Sequence, residues 1–501
     1  MPKRADPRNN VLAVIDIGSN SGRVVVFERD AANHLRTRAG SRASLRLVHD
    51  VDAHGELTEA TLTRATDALR DFQAIATGAG ALRIVAIATA AVRDAANGPS
   101  FTARVRKELG IHIDVVDGLT EARYGFAGAV RGLAVVSGQL FDLGGGSMQL
   151  TRFTHRQHTK ALSLPFGALR LSEQFLKSDP PTHKEVRRLR EHVRHHLAKM
   201  SVKRLASGDR LVGAGGTVRN LAKMDRHARS YPVGSLHGYE LPIDRLTDIV
   251  DLLASTREKH RDELPGLSAD RADSVVGGAI AIHTLAEFVD AGHILVSGQG
   301  VREGVALNVL GISNGTPERV KDASLSSLEL RFDGWRADAA SRRRAVASKL
   351  GRAIAPRAMA RVGTAIDHAA RVLDIGRTLD VVNRHEHVAE ILLSTELPGF
   401  THQELALVSS IVRRAGDRHA DILPLALEHP GVDRDLVEQA AVLLNLADEI
   451  EARCPRGRPI ALTCRVGRDV RVSVPMLLSW LATDLDKRFA HAFDRSLIVV
   501  R

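Results

Sequence analysis

Val11-Leu12-Ala13-Val14-Ile15 runs into Asp16-Ile17-Gly18-Ser19-Asn20-Ser21, and the β-branched stretch Arg23–Phe27 follows directly. An apolar run, a polar glycine-containing turn and a second β-branched run read as strand, turn, strand, with an acid closing the first strand. The same order of residue types returns further on. Gln139-Leu140-Phe141 leads into Asp142-Leu143-Gly144-Gly145-Gly146-Ser147, and Gln149–Phe153 reads as the returning strand. Asp-x-Gly at a strand end, met twice about one small domain apart, predicts an internal duplication. Each half would lend one hairpin loop to a shared cleft.

Outward from these hairpins the pattern alternates between helix and strand. Leu62–Ile75 and Ser100–Leu109 have helical periodicity, while Ile84–Ala88 and Ile113–Val116 read as strands. Leu211–Val212 feeds Gly213-Ala214-Gly215-Gly216-Thr217, a third strand-to-glycine turn, which opens a helix. Ile294–Val296 feeds a fourth, Ser297-Gly298-Gln299-Gly300. From about Asn314 the character changes. Asn314–Ser327 reads as a polar linker, and Ser341–Leu350, Arg357–Leu373, His402–Arg414 and Asp433–Ile450 read as helices. Pro459–Val474 looks β-like, followed by a helix Met476–Phe489 and a strand Leu497–Val500. The layout this predicts is a tail at 1–10, α/β lobes at 11–130 and 131–313, a helical domain at 314–455 and a small α+β segment at 456–501.

A chain of 501 residues is too long for a single core, and with 44% apolar and 26% charged residues it has the composition of a globular protein. The formal net charge of +11 attracts polyanions without saying which. Aromatics at 4% argue against a protein that reads bases by stacking them. Cys454 and Cys464 are too few for a disulfide framework or a four-ligand zinc site, and fit a reducing compartment. The polar stretch Met1–Asn10 lacks a following signal-type apolar run, and no run approaches 18 uncharged apolar residues. The expectation is a cytoplasmic protein with neither a membrane nor a nucleic-acid partner.

Phosphate binding needs backbone N–H groups converging on oxygens, and glycine lets the backbone come close. Gly144–Ser147 and Gly215–Thr217 suit this, the latter at a helix N-terminus that favours an anion. Ser19, Ser21, Ser147 and Thr217 add hydroxyl donors. Each glycine cluster alone is more often a plain tight turn; four of them at strand ends favour an anion cleft. Asp16 and Asp142, at glycine-flanked turns, are either Mg²⁺ ligands or acids that close their own turns. Glu121 opens the helix Glu121–Val130. It is a candidate base for water, or a first-turn acid that complements the helix dipole. Arg93 and Arg302 are candidate phosphate clamps, or surface ion-pair partners. Arg187, Arg190 and Arg194 form a basic stripe and Arg342–Arg344 a basic cluster. Both read as solvated faces, unless a long polyanion runs along them.

Taken in order, Asp16–Ser21, Ala90-Ala91-Val92-Arg93-Asp94-Ala95, Gly118-Leu119-Thr120-Glu121-Ala122, Asp142–Ser147, Gly215-Gly216-Thr217 and Arg302-Glu303-Gly304 closely resemble the exopolyphosphatase/guanosine pentaphosphate phosphatase (Ppx/GppA) family. The resemblance covers roughly Val11 to Leu310. It implies an α/β fold of two ribonuclease H-like lobes, as in the actin/Hsp70/sugar-kinase superfamily. It also implies that Glu121 activates water. Phosphate would be held by Asp16, Gly18, Ser19, Asn20, Ser21, Arg93, Gly144, Gly145, Gly146, Ser147, Gly215, Gly216, Thr217 and Arg302. Mg²⁺ would sit on Asp16 and Asp142, with Gln149 as a further ligand where many members carry Glu. A helical domain like that of HD phosphohydrolases is implied too, but in degenerate form. Leu373-Asp374 stands where a His-Asp metal pair would be, and His385, His387 and His402 read as structural or surface residues. Homodimerisation through this region is a further implication of the resemblance.

The resemblance implies hydrolytic release of terminal orthophosphate from inorganic polyphosphate. The alternatives are hydrolysis of guanosine pentaphosphate (pppGpp), a kinase of the same superfamily, or a non-catalytic polyphosphate or alarmone sensor.

Overall fold

In the computed structural model, which describes residues 10–313, 315–481 and 483–501, the two Asp-x-Gly hairpins each start a sheet. Residues 1–9 of the expected tail, and Asn314 at the start of the expected linker, lie outside the described residues. In the first sheet β1 (Val11–Ile17) pairs antiparallel with β2 (Ser21–Arg29), and β2 pairs antiparallel with β3 (Leu35–Ser44). On its other edge β1 runs parallel to β4 (Arg83–Ala88), and β4 runs parallel to β5 (Ile113–Val115). The second sheet contains β6 (Gly138–Leu143), β7 (Met148–Thr154), β8 (Gln157–Leu164), β9 (Arg210–Ala214), β10 (Tyr239–Pro242) and β11 (His293–Val296). Its order is β10-β11-β9-β6-β7-β8, against β3-β2-β1-β4-β5 in the first. Read as β8-β7-β6-β9-β11, the second sheet repeats the order and the strand directions of the first, with β10 added as an antiparallel edge. The expected duplication is therefore present in the topology.

β1 is buried on both faces, as a continuous apolar run in mid-sheet requires. Side chains alternate between the faces. Val11, Ala13 and Ile15 pack with Leu69 and Phe72 of the helix Glu59–Gly78 and Phe101 of the helix Gly98–Leu109. Leu12 and Val14 pack instead with Val305, Ala306 and Leu310, in and just after the helix Val301–Val309. That helix follows the second sheet in sequence yet covers the first. The helix Gly118–Arg131 does the converse, packing Phe126, Ala129 and Val130 with Leu140, Phe153 and Val212 of the second sheet. The two exchanged helices lie against each other with almost no gap. A Cβ at Gly128 would fall 1.9 Å from the Gly300 carbonyl oxygen, and one at Gly304 would fall 1.8 Å from that of Tyr124.

Contacts divide the chain into two units, residues 1–231 with 236–323, and 232–235 with 324–501. Three readings of the sequence change. The stretch expected as a linker contains the helix Pro317–Glu329, which begins on a proline and buries Val320, Leu325 and Leu328. The helix expected over Met476–Phe489 runs instead from Thr483 to Phe493, because the Leu478 N–H is given to the Arg453 carbonyl rather than to a helical turn. In the Arg342–Arg344 cluster only Arg344 stays partly exposed, and Arg342 and Arg343 are buried. Arg343 is wholly buried and donates to Asp374 at 2.8 Å and Asp448 at 2.7 Å. The stripe on the helix His183–Lys199 is ion-paired, with Arg190 and Arg194 3.3 and 3.0 Å from Glu287.

The second unit is helical from Ala337–Ile354 to Arg434–Ala452. It ends in a sheet ordered β12 (Thr463–Val466), β13 (Asp469–Ser473) and β14 (Ser496–Val500). Cys454 and Cys464 are free thiols. Among the described residues no helix is long and apolar enough to cross a membrane.

Candidate active site

The two hairpin turns close in the same way. The Gly18 N–H donates to the Ser21 carbonyl at 3.2 Å, and the Gly144 N–H donates to the Ser147 carbonyl at 3.0 Å. The loops meet face to face, for a Cβ on Gly146 would lie 2.9 Å from Ser19 Oγ. The third glycine turn joins them at Gly215. Its φ of +101° is open to glycine and strained for other residues, and a Cβ there would meet the Leu143 carbonyl oxygen at 2.6 Å. From it the helix Gly216–Ala228 starts without a side-chain cap. Its first N–H groups are thus left for an anion.

Together these turns line a cleft of about 840 Å³. Asp16, Gly18, Ser19, Asn20 and Ser21 come from the first loop, and Asp142, Gly144, Gly145, Gly146 and Ser147 from the second. Gly215, Gly216, Arg302 and Glu121 complete the predicted set that it gathers. Three predicted residues stand outside the lining. Arg93 touches the site only through Glu121, its Nη1 lying 4.0 Å from Oε2, and also donates to the Val116 carbonyl at 3.0 Å. Thr217 is buried against Gly278. Gln149 is buried behind the loop, donating from Nε2 to Ser147 Oγ at 2.9 Å.

Glu121 owes its place to Asp117, which caps the helix Gly118–Arg131 by accepting the Thr120 N–H at 2.6 Å. That sets Glu121 in the first turn with its side chain 12% exposed, and Oε2 has no hydrogen-bond partner among the described residues. Burial, then the charges of Asp142 and Asp16, push its carboxyl up to about 8. Burial also raises Asp16, against the pull of Arg302 and Arg23, and lifts Asp142 to about 6.

The opposite charge is crowded in the same way. Arg23, Arg219 and Arg271 line the cleft beside Arg302. Burial, then the neighbouring guanidiniums, pulls Arg23 down to about 9, and burial with Arg42 pulls Arg271 to about 10. Sequence reading passed over these three arginines. A signal for Arg23 did exist: it pairs with Asp16 across β1 and β2 in the register that pairs Gln149 with Asp142. Arg219 sits one turn into the helix opened by Gly216, holding the Gly215 and Gly298 carbonyls at 3.0 and 2.8 Å. Arg271 comes from a short 3₁₀ turn with no sequence mark.

The donor set fits a hard divalent cation. Asp16 and Asp142 end the equivalent strands β1 and β6 on the cleft wall. Among the described residues no group of three or more His, Cys, Asp or Glu side chains is placed to cage a metal. Mg²⁺ is held by one or two carboxylates together with water and substrate phosphate, and Asp16 and Asp142 supply two, beside the third cleft acid Glu121.

The chain also resembles known proteins. The family model described as "Ppx/GppA phosphatase family" matches residues 25–312. A protein named Exopolyphosphatase 1 from Mycobacterium tuberculosis is 30% identical over 342 residues, which is 68% of this chain and 99% of that protein. Its namesake from Mycobacterium leprae is 31% identical over 303 residues, 60% of this chain and 89% of that one. The crystal structure of the Aquifex aeolicus member of the Ppx/GppA family superposes with a TM-score of 0.53 at 28% identity, over 60% of this chain and 98% of that one. An exopolyphosphatase from Cytophaga hutchinsonii, at 23% identity and a TM-score of 0.55, shares the fold over 61% of this chain and 99% of its own. Since the family match spans more than half of the chain, and takes in most of both sheets and two of the three glycine turns, the chain belongs to the Ppx/GppA phosphatase family.

Proposed function

We propose that this protein is an exopolyphosphatase that releases terminal orthophosphate from inorganic polyphosphate in the presence of Mg²⁺. The observation that carries the reading is Glu121. It is a buried carboxyl group whose Oε2 has no hydrogen-bond partner among the described residues, in a cleft whose other walls include glycine turns and arginines. The names of the mycobacterial relatives supply the substrate class.

The terminal phosphoryl group enters among the loops Gly18–Ser21 and Gly144–Ser147. Backbone N–H groups, the hydroxyls of Ser19, Ser21 and Ser147, and Arg302 with Arg23 and Arg219 meet its oxygens. Asp16 and Asp142 would hold Mg²⁺, which when bound neutralises charge on the phosphate oxygens. In its ionised form, populated as pH rises towards about 8, Glu121 Oε2 orients a water and accepts its proton as the water oxygen bonds to phosphorus. The phosphoanhydride bond breaks, and the shortened chain leaves with the bonding electron pair. Gln149 fixes Ser147 from behind and is left out of the metal set.

Phosphate release from long-chain polyphosphate and from pppGpp, at matched concentrations of chain ends, tests the reading. Faster release from polyphosphate is expected, and faster release from the nucleotide would assign the alarmone instead. Glu121→Gln should keep polyphosphate binding while turnover falls by about 10²–10⁴-fold. Turnover at the wild-type rate in that variant would remove Glu121 as the base.

A further inference from the structure

The helical unit contains a buried charge network whose signs do not balance. Four guanidiniums, of Arg342, Arg343, Arg377 and Arg384, meet three carboxylates, of Asp374, Asp448 and Glu451. Every carboxylate is engaged. Asp374 takes Arg343 at 2.8 Å, Arg377 at 2.6 Å and Arg384 at 3.2 Å; Asp448 takes Arg343 and Arg384; Glu451 takes Arg342.

One donor is left over. The Arg342 side chain is 7% exposed, and its Nε has no hydrogen-bond partner among the described residues. Arg342 lines a cavity of about 560 Å³ with Arg336, Arg377 and Arg456 and with the acids Asp374 and Glu451, so that four guanidiniums face two carboxylates. Arg336 is also the N-cap of the 18-residue helix Ala337–Ile354, which has no side-chain cap, so its first N–H groups lack an intrahelical acceptor. The carboxylate nearest Arg336 is the half-exposed Asp338, at 3.8 Å. The cavity thus holds an excess of guanidinium over carboxylate, which favours an oxyanion.

We infer that this cavity is a second anion-binding site, separate in sequence from the Glu121 cleft, and that it takes the phosphate group of a small phosphorylated ligand. Arg342 is its buried guanidinium, and Arg336, Arg377 and Arg456 form its mouth. Asp374 belongs to the site as the anchor that orients Arg377, not as a ligand.

Equilibrium dialysis of labelled pyrophosphate against the full-length protein tests this. Arg342→Ala endangers the fold, so the test substitutes the mouth. Arg336→Ala combined with Arg456→Glu should keep the wild-type circular dichroism and melting temperature. The expected result is two sites per chain in the wild type, one of which weakens by at least about tenfold in the double variant. Binding that the double variant leaves unchanged, whatever the number of sites, overturns the inference. Competition identifies the source of the phosphate. Displacement from this site by tripolyphosphate better than by a nucleoside diphosphate supports an inorganic chain, and the reverse order supports a nucleotide. Displacement by neither overturns the site. Glu121→Gln should leave the second site intact, so a wrong assignment of the base and a wrong assignment of this cavity give different results.

Discussion

Glu121 and Gln149 were both marked by the sequence, and the structure places them differently. The Glu121 carboxylate reaches the cleft wall because a capped first turn presents it there. Gln149 lies one strand pairing away from Asp142 and turns its amide onto Ser147. Donation from Nε2 occupies a lone pair of Ser147 Oγ and leaves the hydroxyl proton for a phosphate oxygen. Gln149→Ala should therefore raise KM for polyphosphate by about two- to tenfold, the worth of one hydrogen bond, with kcat little changed. A fall in kcat with KM unmoved would mean that Gln149 reaches the reacting group. Arg343 shows the reverse risk at one residue. Its replacement by Leu leaves Asp374 and Asp448 buried without their main cation, and urea unfolding should show a loss of about 3–5 kcal/mol.

At the scale of elements, the exchanged helices Gly118–Arg131 and Val301–Val309 carry Glu121 and Arg302, and their spacing is set by Gly128 and Gly304. Gly304→Ala puts a methyl group into the Tyr124 backbone, so the helices must move apart. Denaturant unfolding should register about 1–3 kcal/mol, and kcat should fall although the substituted side chain touches no substrate. The helix His183–Lys199 offers a test by pH. Glu185 closes a capping box, accepting the N–H groups of Thr182 at 2.7 Å, Lys177 at 2.9 Å and Ser178 at 3.0 Å. Those bonds, Thr182's first, hold its carboxyl down to about 2. A depressed folded-state value stabilises above the unfolded value of about 4.3 and fades as pH falls towards the folded one. The gap in melting temperature between wild type and Glu185→Ala should thus be full at neutral pH, shrink below about pH 4.3, and lose this contribution near pH 2. A gap independent of pH would show that the loss comes from packing alone.

At the scale of the first unit, polar contacts tie segments around one sheet to segments around the other. Arg46 meets Asp273 at 3.1 Å, His49 meets Glu173 at 2.6 Å, and Arg42 meets Asp270. Arg170 bonds Asp52 at 2.9 Å and Asp94 at 3.3 Å while donating to the Gly146 carbonyl at 3.2 Å. Exposed pairs of this kind contribute about 1 kcal/mol or less to stability, but Arg170 also holds the loop Gly144–Ser147. Arg170→Ala should lower kcat/KM by about tenfold, while stability changes by no more than about 1 kcal/mol. In the wild type, KM should rise with ionic strength as the cleft cations are screened.

The sequence by itself determined both hairpins, their duplication, the third glycine turn and the position of Glu121. These rest on strand periodicity, turn chemistry and first-turn placement, which depend on neighbours along the chain. The tertiary structure decided which side chains share a wall. Arg23, Arg219 and Arg271 join the cleft, and Thr217 and Gln149 fall behind it, because burial depends on what distant chain packs over a residue. The same cause turned Arg342 and Arg343 inward and the polar stretch after 314 into a helix. Charge and polarity argue for solvent until a partner of opposite sign, or an apolar stripe on a neighbouring element, is brought alongside by the fold.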